Sequence, residues 1–204
     1  RIAGSTYEDD RLNRRMQRFL RNAQFDERNG FSRDQVAFGG WGFDAPKKPG
    51  NSGHMDLAHT RRALQALAVD SVREMADVFL RANAHAFLLV VQRHPDAIAS
   101  QPNSVGVEST PCVGSYDGGF YFSPVVLAAN KGRDETDEGS AVHFRSYATA
   151  TCDGVLALLA AGVPRGDERV EKAIEWLRAH GDLDYPQGVP TDYAEPWGDA
   201  IRFY

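Results

Sequence analysis

The stretch from Ser146 to Gly162 constrains this chain more than any other. Ala150, Gly154, Ala157 and Ala161 recur at helical spacing along one narrow side, while Val155, Leu156, Leu158 and Leu159 fill most of the remaining circumference. A helix apolar nearly all round is either a membrane span or the innermost layer of a helical protein. The apolar run from Gly154 to Val163 is too short for a bilayer, which needs about 20 residues. It therefore belongs inside a helical fold. Asp56 to Ala68 is a weaker copy: setting Thr60 on Thr151 aligns Ala63 with Gly154, Leu64 with Val155, Ala66 with Ala157 and Leu67 with Leu158. Two related inner helices predict a repeat architecture.

Amphipathic segments precede and follow the inner pair. Thr6–Asp9 is a capping-box-like start, after which Leu12, Met16, Phe19, Leu20 and Ala23 form one apolar stripe, as expected of an outer helix. Ser71–Glu74 opens a second, with Val72, Met75, Phe79, Leu80, Phe87 and Val91 on a broad apolar face and Pro95 at its end. Asp167 caps a third, where Val170, Ala173, Ile174 and Leu177 share a face. The loops between carry Gly39-Gly40-Trp41 and Gly118-Gly119-Phe120, the second inside a long loop from Asp96 to Arg145 with a short helix or strand expected around Pro124–Asn130.

The repeating unit is thus outer helix, glycine-aromatic loop, inner helix. Its landmarks are Phe19-Leu20, Gly39-Gly40-Trp41 and Thr60, then Phe79-Leu80, Gly118-Gly119-Phe120 and Thr151, then Trp176-Leu177. This predicts one domain over 1–204, with units at about 7–69, 71–163 and 167–204. The third inner helix starts near Trp197 and stops at Tyr204. A ring of such pairs closes with about five to seven of them, so the expectation is a partial ring. Its open edge, bearing Trp176, Trp197, Ile201 and Phe203, would be covered by another copy or by further sequence.

Composition removes several function classes. A net charge of -5 over 204 residues argues against a nucleic-acid partner. Two cysteines, Cys112 and Cys152, make neither a disulfide framework nor a cysteine-rich zinc site, and leave a single pairing open. No transmembrane or signal segment is visible. The chain begins at Arg1 rather than methionine, so its compartment is not readable.

The Phe/Trp-Leu of the outer helices, the Gly-Gly-aromatic loops and the His59-Thr60 and Ala150-Thr151 inner-helix starts resemble the repeats of squalene and terpenoid cyclases and of protein prenyltransferase β subunits. Asp117–Tyr121, Ser146–Thr151 and Ala161–Val170 are most similar to patterns in uncharacterised bacterial, planctomycete-type members with prenyltransferase/squalene-oxidase repeats. The resemblance spans about Arg11 to Tyr204. It implies an all-α fold, an α/α toroid of inner and outer helices around an apolar cavity, and an isoprenoid- or lipid-related role.

The chemistry of that family is only partly matched. Its cyclases protonate an alkene with an Asp-x-Asp-Asp acid, a motif this chain lacks; Asp134–Glu138 reads as a solvated acidic run. Its transferases hold zinc with Asp, Cys and His. His59 matches that histidine, but Arg145 and Tyr147 occupy the other two positions. No zinc or other cofactor is therefore expected, and His54, Asp56 and His59 read as helix-capping polar residues. Asp56, His59 and Asp153 are the catalytic candidates. Trp41, Phe43, His59, Phe120, Tyr121 and Tyr147 are the candidates for lining a ligand cavity, although Trp41 and Phe120 also suit a purely structural place between helices. Three classes stay open: an isoprenoid enzyme, a non-catalytic toroid binding a lipid or a protein segment, and an (α/α)-barrel glycan enzyme using Asp56 and Asp153.

Overall fold

The computed structural model describes residues 7–43, 55–68, 75–99, 116–125, 130–131, 133–134 and 143–181. These are mostly helical: α1 Tyr7–Asn22, α2 Leu57–Ala68, α3 Met75–Val91, α4 Ala148–Ala160 and α5 Glu168–Ala179. Two short antiparallel ladders accompany them, β1 Trp41–Gly42 with β2 Met55–Asp56, and β3 Arg133–Asp134 with β4 His143–Phe144. The fold class is all-α. The capping box at Ser71–Glu74, the cysteine at 112, most of Pro124–Asn130 and everything from Asp182, including Trp197, Ile201 and Phe203, lie outside the described residues.

The two small-residue helices pair as the sequence predicts. α2 and α4 lie side by side in the most extensive helix–helix contact, with α5 against α4. Ala63, Ala157 and Leu158 are buried in the core that they share with Phe87 and Phe120. Gly154 is required there, because a Cβ would sit 2.4 Å from the Phe120 ring. α4 ends through Gly162 in the left-handed region, at φ 91°, ahead of Pro164. Asp167 then caps α5 by accepting from the Arg169 N–H.

The repeat holds bond by bond. The Trp41 N–H donates to Thr60 Oγ1 and the Phe120 N–H to Thr151 Oγ1, both at 3.0 Å. Each threonine hydroxyl donates to the carbonyl four residues back, Asp56 at 2.7 Å and Tyr147 at 2.9 Å. Gln24 Nε2 donates to the carbonyls of Gly39, at 3.0 Å, and Leu80, at 2.9 Å. Gln92 Nε2 does the same to Gly118, at 3.1 Å, and Arg169, at 2.9 Å. Each glycine loop therefore seats on the next outer helix. A Cβ at Gly40 would fall 3.0 Å from the Phe87 ring of α3, and one at Gly119 would fall 3.1 Å from the Trp176 ring of α5.

These bonds correct the outer-helix register. The offset that carries Gln24 onto Gln92 carries Phe19-Leu20 onto Phe87-Leu88, not onto Phe79-Leu80. Phe87 is fully buried and Phe79 is 65% exposed. Two Phe-Leu pairs about two turns apart on α3 make the register ambiguous in sequence, and only the glycine contact resolves it. A second correction concerns the edges. Trp176 was expected on an exposed flank, yet it is buried and its Nε1 donates to Asp117 Oδ2 at 3.2 Å. The exposed stripe is instead on α1, where Leu12, Met16 and Phe19 face outward. That helix is held at its last turn and the residues beyond it, by Arg21 Nε on Asp77 at 2.9 Å, by Trp41 Nε1 donating to the Leu20 carbonyl at 2.8 Å, and by Gln24.

Two glycines separate strain from close packing. Gly39 has φ 87° and its absent Cβ would fall 1.8 Å from the Asn83 carbonyl oxygen. Gly162 has φ 91° with only the end of Arg81 nearby. Gly39→Ala is expected to cost about 3 kcal/mol or more, whereas Gly162→Ala costs about 1–2 kcal/mol from conformation alone. Chemical denaturation of both variants checks this; equal losses would show that the Gly39 contact is unimportant. Gln92→Glu places an acceptor-only carboxylate against two carbonyls and is expected to lose about 3 kcal/mol, read as a lowered denaturation midpoint.

Candidate functional site

Asp56 ends β2 and caps α2, and capping explains its fully buried carboxylate. Oδ1 accepts from the His59 backbone N–H at 2.8 Å, and Oδ2 lies 2.6 Å from His59 Nδ1. A carboxylate only accepts, so the Asp56 contact places a proton on Nδ1 and fixes the orientation of the ring. Over that ring lies Phe43, with centroids 4.4 Å apart and planes tilted by 50°. The Phe43 side chain is 75% exposed.

Asp153 approaches from the neighbouring helix α4. Its Oδ1 is 2.8 Å from Arg61 Nε. That N–H is not aimed at the oxygen, since Arg61 Nε completes no hydrogen bond, so the contact is an ion pair. Burial raises the Asp153 pKa above its ordinary value; Arg61 and Arg62 oppose the shift, and the charge on Asp56 adds to it. The structure thereby brings all three catalytic candidates, Asp56, His59 and Asp153, into one electrostatic neighbourhood. Carboxyl groups perturbed this way mark functional sites more often than surface ones.

The aromatic candidates separate into two groups. Trp41, Phe120, Tyr121 and Tyr147 are all buried in the core; Trp41 and Phe120 are the residues anchored by Thr60 and Thr151. Burial pushes the hydroxyls of Tyr121 and Tyr147 well above the ordinary tyrosine range, and for Tyr147 the backbone N–H of Lys131 offsets part of it. Phe43 alone of these rings reaches solvent. Leu156, three residues beyond Asp153 and on the same helical face, is 42% exposed.

Cys152 is an exposed free thiol beside Asp153, and burial followed by that carboxylate raises its pKa. It is therefore a poor thiolate nucleophile. Among the described residues no three His, Cys, Asp or Glu side chains converge as metal ligands; the histidine at 54 lies outside them. Sequence reading missed Arg61 and Arg62. Their signal was only their place on α2, two and three residues beyond His59, and the Asp153 partner became visible once α2 and α4 were packed.

A concavity of about 460 Å³ lies away from these residues, between α3 and the α4–α5 turn, lined by Val78, Arg81, His85, Val163 and Arg169 among others. Burial and then Arg169 lower the His85 pKa, and Arg169 Nη1 meets His85 Nε2. No helix among the described residues is long and apolar enough to cross a membrane. Comparisons with protein-family models, with curated proteins and with solved structures returned no match.

The raised Asp153 pKa carries a signed consequence. The folded protein keeps this proton at pH values where the unfolded chain has lost it. Stability contributed here is therefore present at low pH and falls as pH rises from the ordinary 3.8 through the folded value. Asp153→Asn is expected to flatten that segment of the stability profile, measured by denaturant midpoints across a pH series.

Proposed function

We propose that this chain is an arc of an α/α toroid whose inner-helix side binds an isoprenoid- or lipid-like amphiphile. The observation that carries this reading is the exposed Phe43 ring held on His59, beside a buried Asp–His pair and an Asp–Arg pair. An apolar ring at the surface next to a few convergent polar groups is the usual make-up of a small-molecule site. The ligand's apolar part would lie over Phe43 and Leu156, with its polar end toward Arg61, Arg62 and His59.

A catalytic version of this reading draws on Asp153 and His59 as the acid–base candidates beside the exposed Phe43 ring. The glycan-enzyme reading is weaker. It needs two available carboxylates, whereas Asp56 is fully buried and spends both oxygens on His59.

Organic extraction of the purified protein followed by mass spectrometry tests the proposal. An apolar amphiphile in stoichiometric amount is expected from the native chain and is lost from Phe43→Ser. If nothing co-purifies and neither isoprenoid alcohols nor fatty acids perturb the His59 ring resonances, the binding site lies elsewhere.

A further inference from the structure

The concavity between α3 and the α4–α5 turn, about 460 Å³, has apolar walls: Val78 and Ala82 of α3, and Ala161, Val163 and Pro164 of the turn. That volume and lining suit a small molecule where a few polar groups also converge. Asp77, Arg81, His85 and Arg169 are the polar groups there. Two of these are already satisfied. Asp77 receives Arg21 on both oxygens, at 2.9 and 3.3 Å, and Arg169 holds Asp167 through Nε and Nη2. Arg81 has neither a hydrogen bond nor an ion pair among the described residues. Its Nη1 lies 3.4 Å from where a Cβ on Gly162 would stand, at the turn side of the concavity.

His85 is four residues on from Arg81, on the same face of α3. Its Nε2 accepts from Arg169 Nη1. A guanidinium only donates, so the imidazole is neutral with its proton on Nδ1; burial and then Arg169 favour the same uncharged form. That Nδ1–H has no acceptor among the described residues. The hollow thus holds one uncompensated positive charge, with a second free donor one helical turn away.

We propose that this concavity binds a small aliphatic monocarboxylate, its head group on Arg81 and the His85 Nδ1–H and its body on Val78, Ala82 and Val163. The planar guanidinium fork matches a carboxylate and gives charge-assisted bonds. A phosphate dianion fits less well, since the other cations nearby, Arg21 and Arg169, are already neutralised by Asp77 and Asp167. The site is separate from Phe43 and does not rest on the ligand reading of the inner-helix side.

Sodium octanoate is the probe, titrated into the full chain carrying Phe43→Ser, which removes the ring of the inner-helix site. Binding is read by calorimetry and by the His85 ring resonances. One saturable site that shifts His85 is expected. Octanol, lacking the charge, and acetate, lacking the body, are each expected to bind at least about tenfold more weakly. Arg81→Gln is expected to weaken octanoate by about the same factor and to leave the melting temperature unchanged, because Arg81 has no partner to lose. Val78→Asp, at a 57% exposed position, sets a like charge beside the ligand and is expected to abolish binding. No saturable binding, octanol as tight as octanoate, octyl phosphate tighter than octanoate, or an Arg81→Gln variant that binds normally would each overturn the proposal.

Discussion

The arrangement rests on two buried primary amides. Gln24 and Gln92 each point an NH2 group at two carbonyls, one from the glycine loop of its own unit and one from the next outer helix. Both side chains are fully buried, and the Oε1 of each finds no partner among the described residues. A buried amide oxygen left alone costs about 1–3 kcal/mol, so the two donated bonds must offset that loss at each junction. The bonds also set direction. An amide presenting both protons to carbonyls admits one orientation, and so each unit locks onto its successor in one register.

Everything else at the junction follows from how close the backbones come. Glycine at 39 and 118 lets a loop carbonyl approach within reach of the glutamine while its chain lies directly on the next helix. The aromatic that follows, Trp41 or Phe120, is swung inward and fixed by a threonine that bridges its N–H to the first turn of the inner helix. Burying the Phe120 ring beside α4 leaves room only for glycine at 154, and Ala63 holds the aligned position on α2. The small-residue pattern of the inner helices is thus the imprint of rings lying outside them.

The candidate site uses a place where that scheme differs between units. Where the second unit has the core residue Tyr147, the first has Asp56, and a carboxylate at that helix start can cap the helix and orient His59 together. The ion pair of Asp153 with Arg61 joins the two inner helices across their contact, so the polar cluster needs both units. Neither alone would assemble it.

Sequence alone determined the helices, the pairing of α2 with α4 and several of the helix ends. Those features are written in local periodicity: alanine and glycine along one side, the cap at Asp167, the stop at Gly162. Pro95 did not mark the end of α3, which stops at Val91 ahead of Arg93 in the left-handed region at φ 58°. The sequence also named Asp56, His59 and Asp153, because an acid or imidazole on an otherwise apolar helix stands out against its neighbours. Tertiary structure alone decided the rest. The Phe19–Phe87–Trp176 equivalence depended on which of two Phe-Leu pairs on α3 meets a glycine, a contact between residues far apart in the chain. The division of the aromatics into buried Trp41, Phe120, Tyr121 and Tyr147 and exposed Phe43 depended on backbone bonds between distant segments, Trp41 and Phe120 to threonines, Tyr121 to Val91 and Tyr147 to Phe120. The open face of α1 was hidden for the same reason: Leu12, Met16 and Phe19 follow the same helical spacing whether a neighbour covers them or not, and periodicity records a face but not what rests against it.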